Sequence, residues 1–122
     1  MTKPEIEFPS EPLTGELQVR DLIEGDGPVA AAGQQAVVHY VGVAHSTGEE
    51  FDASYNRGTP FVFGLGEGRV IAGWDQGVQG MKVGGRRELI IPPHLGYGER
   101  GAGGVIKGGE TLIFVVDLLD LR

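Results

Sequence analysis

The sequence predicts an α+β domain, an antiparallel sheet with one short helix. Three observations carry this reading. Segments rich in β-branched and aromatic residues recur along the chain, at 36–44, 60–63, 88–91 and 111–119. Only one stretch, Ala72 to Val78, has helical spacing, with Trp74 and Val78 at i and i+4. Glycine and proline clusters separate these segments. The chain has 22 glycines in 122 residues, more than twice the usual share of about 7%. They follow no Gly-X-Y period, so they mark turns rather than a collagen helix.

Each element has its own justification. Residues 1–14 hold Pro4, Pro9 and Pro12 among acids and few apolar groups. They read as a flexible N-terminal arm, dispensable for stability, ahead of a folded domain at 15–122. Val19, Leu22 and Ile23 open the first apolar segment, which Gly25-Asp26-Gly27-Pro28 closes. Residues 36–44 read as a long strand. Phe51 is followed by a polar stretch from Asp52 to Thr59. Pro60 starts a short strand, where its missing donor is tolerated. The 72–78 helix is interrupted by Gly73 and Gly77. Glycine costs about 1 kcal/mol per helical site, so packing must hold this helix. Pro92 and Pro93 stop the strand at 88–91. In 111–119, Leu112, Phe114, Val116 and Leu118 share one face, and Ile113, Val115 and Asp117 the other.

Composition excludes several classes of function. Ten basic against seventeen acidic residues give a net charge of −7, which repels phosphate backbones and argues against nucleic-acid binding. The excess sits early: residues 1–26 hold two basic and seven acidic side chains. There is no cysteine, so disulfides and thiolate chemistry are excluded. No apolar run has the length of a signal-peptide core or a transmembrane helix. A cytoplasmic protein without membrane attachment is the expectation. Nothing resembles a heptad or other dimerisation element, so a monomer is expected.

Most motifs fail on context. Gly96-Tyr97-Gly98-Glu99-Arg100-Gly101 matches GxGxxG, but prolines precede it and a poor helix former follows. His39, His45 and His94 lack metal-ligand spacing, so no metal site is assigned. His39 reads as a packed or hydrogen-bonded strand residue. Lys82, Arg86 and Arg87 read as a solvated strand end and turn. The aromatics Tyr40, Phe51, Phe61, Phe63, Trp74, Tyr97 and Phe114 read first as core. Two of them point further. Phe51 opens a polar segment at Asp52, and Tyr97 stands between two glycines in a loop.

Five of the seven aromatics lie in the segments Val37–Gly42, Gly48–Ser54, Arg57–Phe61, Val70–Trp74, Gly77–Gly84 and Tyr97-Gly98. In this order and spacing, the chain from about Val19 to Leu121 resembles the FK506-binding-protein (FKBP) family of peptidyl-prolyl cis-trans isomerases. The resemblance implies a sheet of about five strands wrapped around one short helix. It implies a pocket with Trp74 as floor and with walls at Tyr40, Phe51, Phe61, Val70, Ile71 and Phe114. Asp52 and Tyr97 would form its polar rim, and Arg57 would pair with Asp52. The Ile71 N–H and the Tyr97 hydroxyl would donate to ligand carbonyls. Val105 and Ile106 would keep an apolar wall. The residues expected to act in catalysis are Phe51, Asp52, Trp74, Tyr97 and Phe114.

Implied partners are prolyl polypeptide clients and macrolides such as tacrolimus or rapamycin. Bond rotation needs no nucleophile, metal or organic cofactor, so none is expected. The chain departs from many relatives at 101–109, where stiffening prolines give way to five glycines in nine residues. This loop is expected to be mobile, and a Pro-Pro replacement of Lys107-Gly108 to tighten binding. No long insertion interrupts Tyr97–Thr111, so the inserted chaperone domain and the histidine-rich tail of some bacterial relatives are not expected. Two other functions are compatible with the residues: a non-catalytic prolyl-binding module on the same fold, and an acidic carbohydrate-binding domain using exposed aromatics.

Overall fold

The structure is a computed structural model that describes residues 2–7 and 12–122. The strands are β1 (Gln18–Ile23), β2 (Gln35–Ala44), β3 (Glu50–Ala53), β4 (Phe61–Gly64), β5 (Arg86–Ile91) and β6 (Leu112–Leu121). The helices are α1 (Ser54–Arg57) and α2 (Ala72–Gly77). All strand pairs are antiparallel, in the order β1-β5-β6-β2-β3, with β4 also on β2. The six strands therefore fill five lanes, because β3 and β4 share the edge of β2. Val41–Val43 pair with β3, and Gln35–Val38 pair with β4.

The alternation read from β6 holds. Leu112, Phe114, Val116 and Leu118 enter the main core with Trp74, Val78, Leu89 and Ile91. Ile113 faces the opposite side, with Val43 and Ile90. The glycines of α2 now have a reason. A Cβ on Gly73 would lie 2.6 Å from Ile91, and one on Gly77 would lie 2.6 Å from Leu89. Glycine lets α2 approach β5 closely, and that contact offsets its poor helix propensity.

Two sequence expectations change. Arg86 and Arg87 are not solvated, since their side chains are 16% and 12% exposed. Arg86 binds the buried Asp117 at 2.6 Å. Arg87 binds Asp21 and donates to the Gly77 and Gln79 carbonyls at the end of α2. The N-terminal segment also buries more than its composition implies. Residues 2–7 have no regular structure, but Ile6 packs on Val43, Ile90 and Ile113. Lys3 pairs with Glu50 at 2.8 Å, and Arg86 donates to the Thr2 carbonyl. Phe8 lies outside the described residues. Removing residues 1–7 is therefore expected to lower stability by about 1 kcal/mol, mainly through Ile6. Thermal unfolding should shift down by roughly 3–6 °C. An unchanged midpoint would show that this packing contributes nothing.

Candidate active site

The site grows from a gap in one sheet lane. Between Val38, the last partner of β4, and Val41, the first partner of β3, β2 has no strand on the edge away from β6. The Tyr40 N–H would be orphaned there. The hydroxyl of Ser54, at the start of α1, accepts it at 2.7 Å. His39 Nδ1 bonds the same hydroxyl at 2.8 Å, and its ring stacks on Tyr55. This fixes α1 against β2, and with it Asp52 and Arg57 on either side.

Tyr40, Asp52 and Arg57 close a triangle. The Tyr40 hydroxyl donates to Asp52 Oδ2 at 2.5 Å. Arg57 donates to Asp52 Oδ1 at 2.6 Å and to the Tyr40 oxygen at 2.8 Å. Burial works against the Asp52 charge, but the bonds from Tyr40 and Arg57 outweigh it and hold the carboxyl below its ordinary value. Burial and then the Asp52 bond push the Tyr40 phenol up. Asp52 is thus a fixed anion whose two oxygens are both engaged.

The floor is an aromatic box. Trp74 is 4% exposed and stands edge-to-face with Tyr40 at 4.9 Å, Phe114 at 5.3 Å and Phe61 at 6.0 Å. Phe51 meets Phe114 edge-on at 5.5 Å. Gly42 makes that contact possible, since a Cβ there would lie 2.7 Å from both rings. Phe63 closes the box from behind, 5.5 Å from Trp74. The buried Trp74 Nε1 has no hydrogen-bond partner among the described residues.

Around this floor lies a cavity of about 220 Å³ lined by Tyr40, Phe51, Asp52, Phe61, Arg69, Val70, Ile71, Trp74, Tyr97 and Phe114. Tyr97 is 40% exposed at its mouth. Its loop is set by a 3-10 turn at Pro93–Leu95 and by the Gly98 N–H on the Pro93 carbonyl. Burial, and then the Asp52 charge, raise the Tyr97 phenol, so it remains a hydroxyl donor at neutral pH. Its oxygen has no hydrogen bond among the described residues, and neither does the Ile71 N–H. Both are available to a ligand.

The structure separates some residues that the sequence grouped. Arg57 supports Asp52 but does not line the cavity. Ile106 is 6% exposed and belongs to the core, whereas Val105 is 67% exposed beside a neighbouring cavity. Neither forms a wall of the main cavity. Arg69 does line it and was missed, because a charged residue before Val70 carried no pattern.

The glycine loop is also more constrained than its composition implies. Ala102 and Ile106 form a bridge, and Gly109 N–H bonds the Gly98 carbonyl at 2.9 Å. A Cβ at Gly108 would fall 1.9 Å from the Glu99 carbonyl oxygen. Proline at 108 is therefore excluded on steric grounds, and the expected gain from Pro-Pro at 107–108 is withdrawn.

The comparisons with known proteins agree with this geometry. Residues 27–119 match the model of the FKBP-type peptidyl-prolyl cis-trans isomerase family. The chain is 70% identical to the FK506-binding protein of Streptomyces anulatus over 118 residues, covering 96% of this chain and 95% of that one. It is 49% identical to a probable FK506-binding protein of Corynebacterium glutamicum, covering 98% of each. The crystal structure of AtFKBP13 superposes with a TM-score of 0.80 at 43% identity, covering 87% of this chain and 93% of that one. An aromatic cavity whose edge carries a hydroxyl and an N–H without partners among the described residues, on a chain this similar, has one reading. The chain belongs to the FKBP-type peptidyl-prolyl cis-trans isomerase family, and its reaction is rotation about the X–Pro bond.

Proposed function

We propose that the prolyl ring of a client sits over Trp74 and that the aromatic box lowers the rotation barrier by binding the twisted amide. The observation that supports this most directly is the aromatic floor beneath a Tyr97 hydroxyl and an Ile71 N–H that have no hydrogen-bond partner among the described residues. The uncatalysed barrier is about 18–20 kcal/mol. A planar amide carries resonance charge on its oxygen, which water stabilises. Twisting removes much of that resonance, so the twisted form suffers less from the apolar floor than the planar form does. Each ~1.4 kcal/mol of such preference is tenfold in rate. Tyr97 and Ile71 N–H hold the flanking carbonyls. Phe51 and Phe114 shape the walls, and Asp52, anchored by Tyr40 and Arg57, orients the rim. Val70, Phe61 and Tyr40 complete the enclosure.

No proton moves in this reaction, so Asp52 acts as a fixed charge. Its carboxyl is held below its ordinary value, so its contribution is fully present above that value and is lost only as pH falls through the lowered one. The peptide isomerisation rate is therefore expected to stay flat above about pH 5, with any loss appearing on the acid side. A bell centred near neutrality would argue for a proton-transfer role.

Tyr97→Phe is expected to weaken binding of a prolyl ligand by about 0.5–1.5 kcal/mol, the worth of one hydrogen bond. Its unfolding midpoint should stay near the parent's, because the residue is at the mouth. Titration calorimetry beside thermal unfolding makes the test. Unfolding without loss of affinity per folded molecule would place Tyr97 in the core instead.

In this reading the isomerase domain spans 15–122, acts as a monomer in the cytoplasm, and takes prolyl polypeptides as clients. Tacrolimus (FK506) and rapamycin would fill the same cavity and compete with them. The names of the relatives in Streptomyces and Corynebacterium support the first of these. At 100 times its dissociation constant, such a ligand should raise stability by about 2.7 kcal/mol. A thermal shift measures this.

A further inference from the structure

The main cavity holds about 220 Å³, room for a prolyl residue but not for the chain around it. A client polypeptide must leave over the rim. Phe51 is a wall of this cavity and also of a second one, of about 360 Å³, between the turn after β2 and the 104–110 loop. The second cavity is lined by Ala44, Ser46, Thr47, Glu49 and Glu50 on one side and by Gly104, Val105, Lys107 and Glu110 on the other. We propose that it is a second subsite, which receives the client residue flanking the proline and favours lysine or arginine there. The proposal rests on the prolyl ring sitting over Trp74.

The charges make the assignment specific. Three carboxylates face the cavity against one ammonium. Two of them are already engaged. Glu110 is 6% exposed and accepts from the Ser46 N–H and hydroxyl, at 3.2 and 2.5 Å. Glu50 is held by Lys3 and by the Asn56 amide. Glu49 is exposed, and its carboxylate has no ion pair or hydrogen bond among the described residues. It is the group left to meet an incoming cation. Val105, 67% exposed at the cavity edge, offers apolar surface to the alkyl stem of a lysine or arginine. Lys107 opposes the same cation from the far wall, so it sets the size of the preference rather than its sign.

The test uses the full chain and proline-centred peptides that differ only in the flanking residue, Lys against Glu, with a short uncharged Xaa-Pro peptide as control. The expected kcat/KM ratio of Lys to Glu peptide is about two- to fivefold, the range of an exposed ion pair. It should shrink towards one in 1 M salt. Glu49→Lys should abolish or invert the ratio while leaving the control peptide unchanged. Lys107→Glu should enlarge it. Both side chains are exposed, so folding is not at issue. A ratio of one in the parent chain, or a ratio unmoved by both variants while the control is turned over, overturns the subsite alone. Failure to turn over the control overturns the pocket reading and the subsite with it.

Discussion

Phe114→Ala is expected to lose about 3–5 kcal/mol of stability and most of the isomerase activity. Phe114 is 4% exposed, and its ring meets those of Phe51, Trp74 and Tyr40. Removing it opens a hole under the cavity wall that Gly42 leaves no side chain to fill. Total stabilities of such domains run about 5–15 kcal/mol, so the variant sits close to unfolding. Denaturant titration measures the first effect. Phe114→Leu separates the second, because it keeps apolar volume but loses the flat wall. Its peptide isomerisation rate, measured where it is fully folded, should still fall well below the parent's. A Leu variant with parental rates would make Phe114 a packing residue only.

Arg86→Ala is expected to cost about 3–5 kcal/mol while sparing activity per folded molecule. Asp117 is fully buried on the face of β6 away from the cavity. It accepts from Arg86 Nε and Nη2 at 2.6 and 3.2 Å and from the Tyr55 hydroxyl. Without the guanidinium, a buried carboxylate keeps only Tyr55. Burial, and next the Asp117 carboxylate, push the Tyr55 phenol up to about 12. A phenol raised above its ordinary value stabilises the fold below pH 10 and loses that contribution as pH rises towards 12. The phenol therefore still donates at neutral pH but cannot neutralise the charge. Urea unfolding of Arg86→Ala beside its isomerase rate decides the matter. A loss under about 1 kcal/mol would mean that water reaches Asp117 and that the pair is a surface one.

The parts of the fold that were legible in the sequence are those where periodicity carries the information. The alternation in β6 put Phe114 and Asp117 on opposite faces, the first of which the structure turns to the core, and α2 was found from Trp74 and Val78. β3 and α1 were not found. Their residues, Glu50 to Arg57, are mostly polar, and what orders them is distant: the Ser54 hydroxyl on Tyr40 and Gly42 beneath Phe51. Arg86 and Arg87 read as solvent-facing because their acidic partners lie 31 and 66 positions away. The aromatic box of the site was legible through the family resemblance. The fine placement of Val105 and Ile106 was not, because a loop bridge between Ala102 and Ile106 decides which side chain turns inward, and Arg69 was not because a lone charge before Val70 carries no pattern.

The central claim is that isomerisation takes place in the cavity over Trp74. The measurement that tests it most directly is the catalysed isomerisation rate of a short Xaa-Pro peptide, titrated with FK506. Uncatalysed, the bond turns over in tens to hundreds of seconds. The chain is expected to accelerate it, and the acceleration should fall in proportion as FK506 occupies the cavity, reaching the uncatalysed rate at saturation. No acceleration, or acceleration that persists with FK506 demonstrably bound, would contradict the claim.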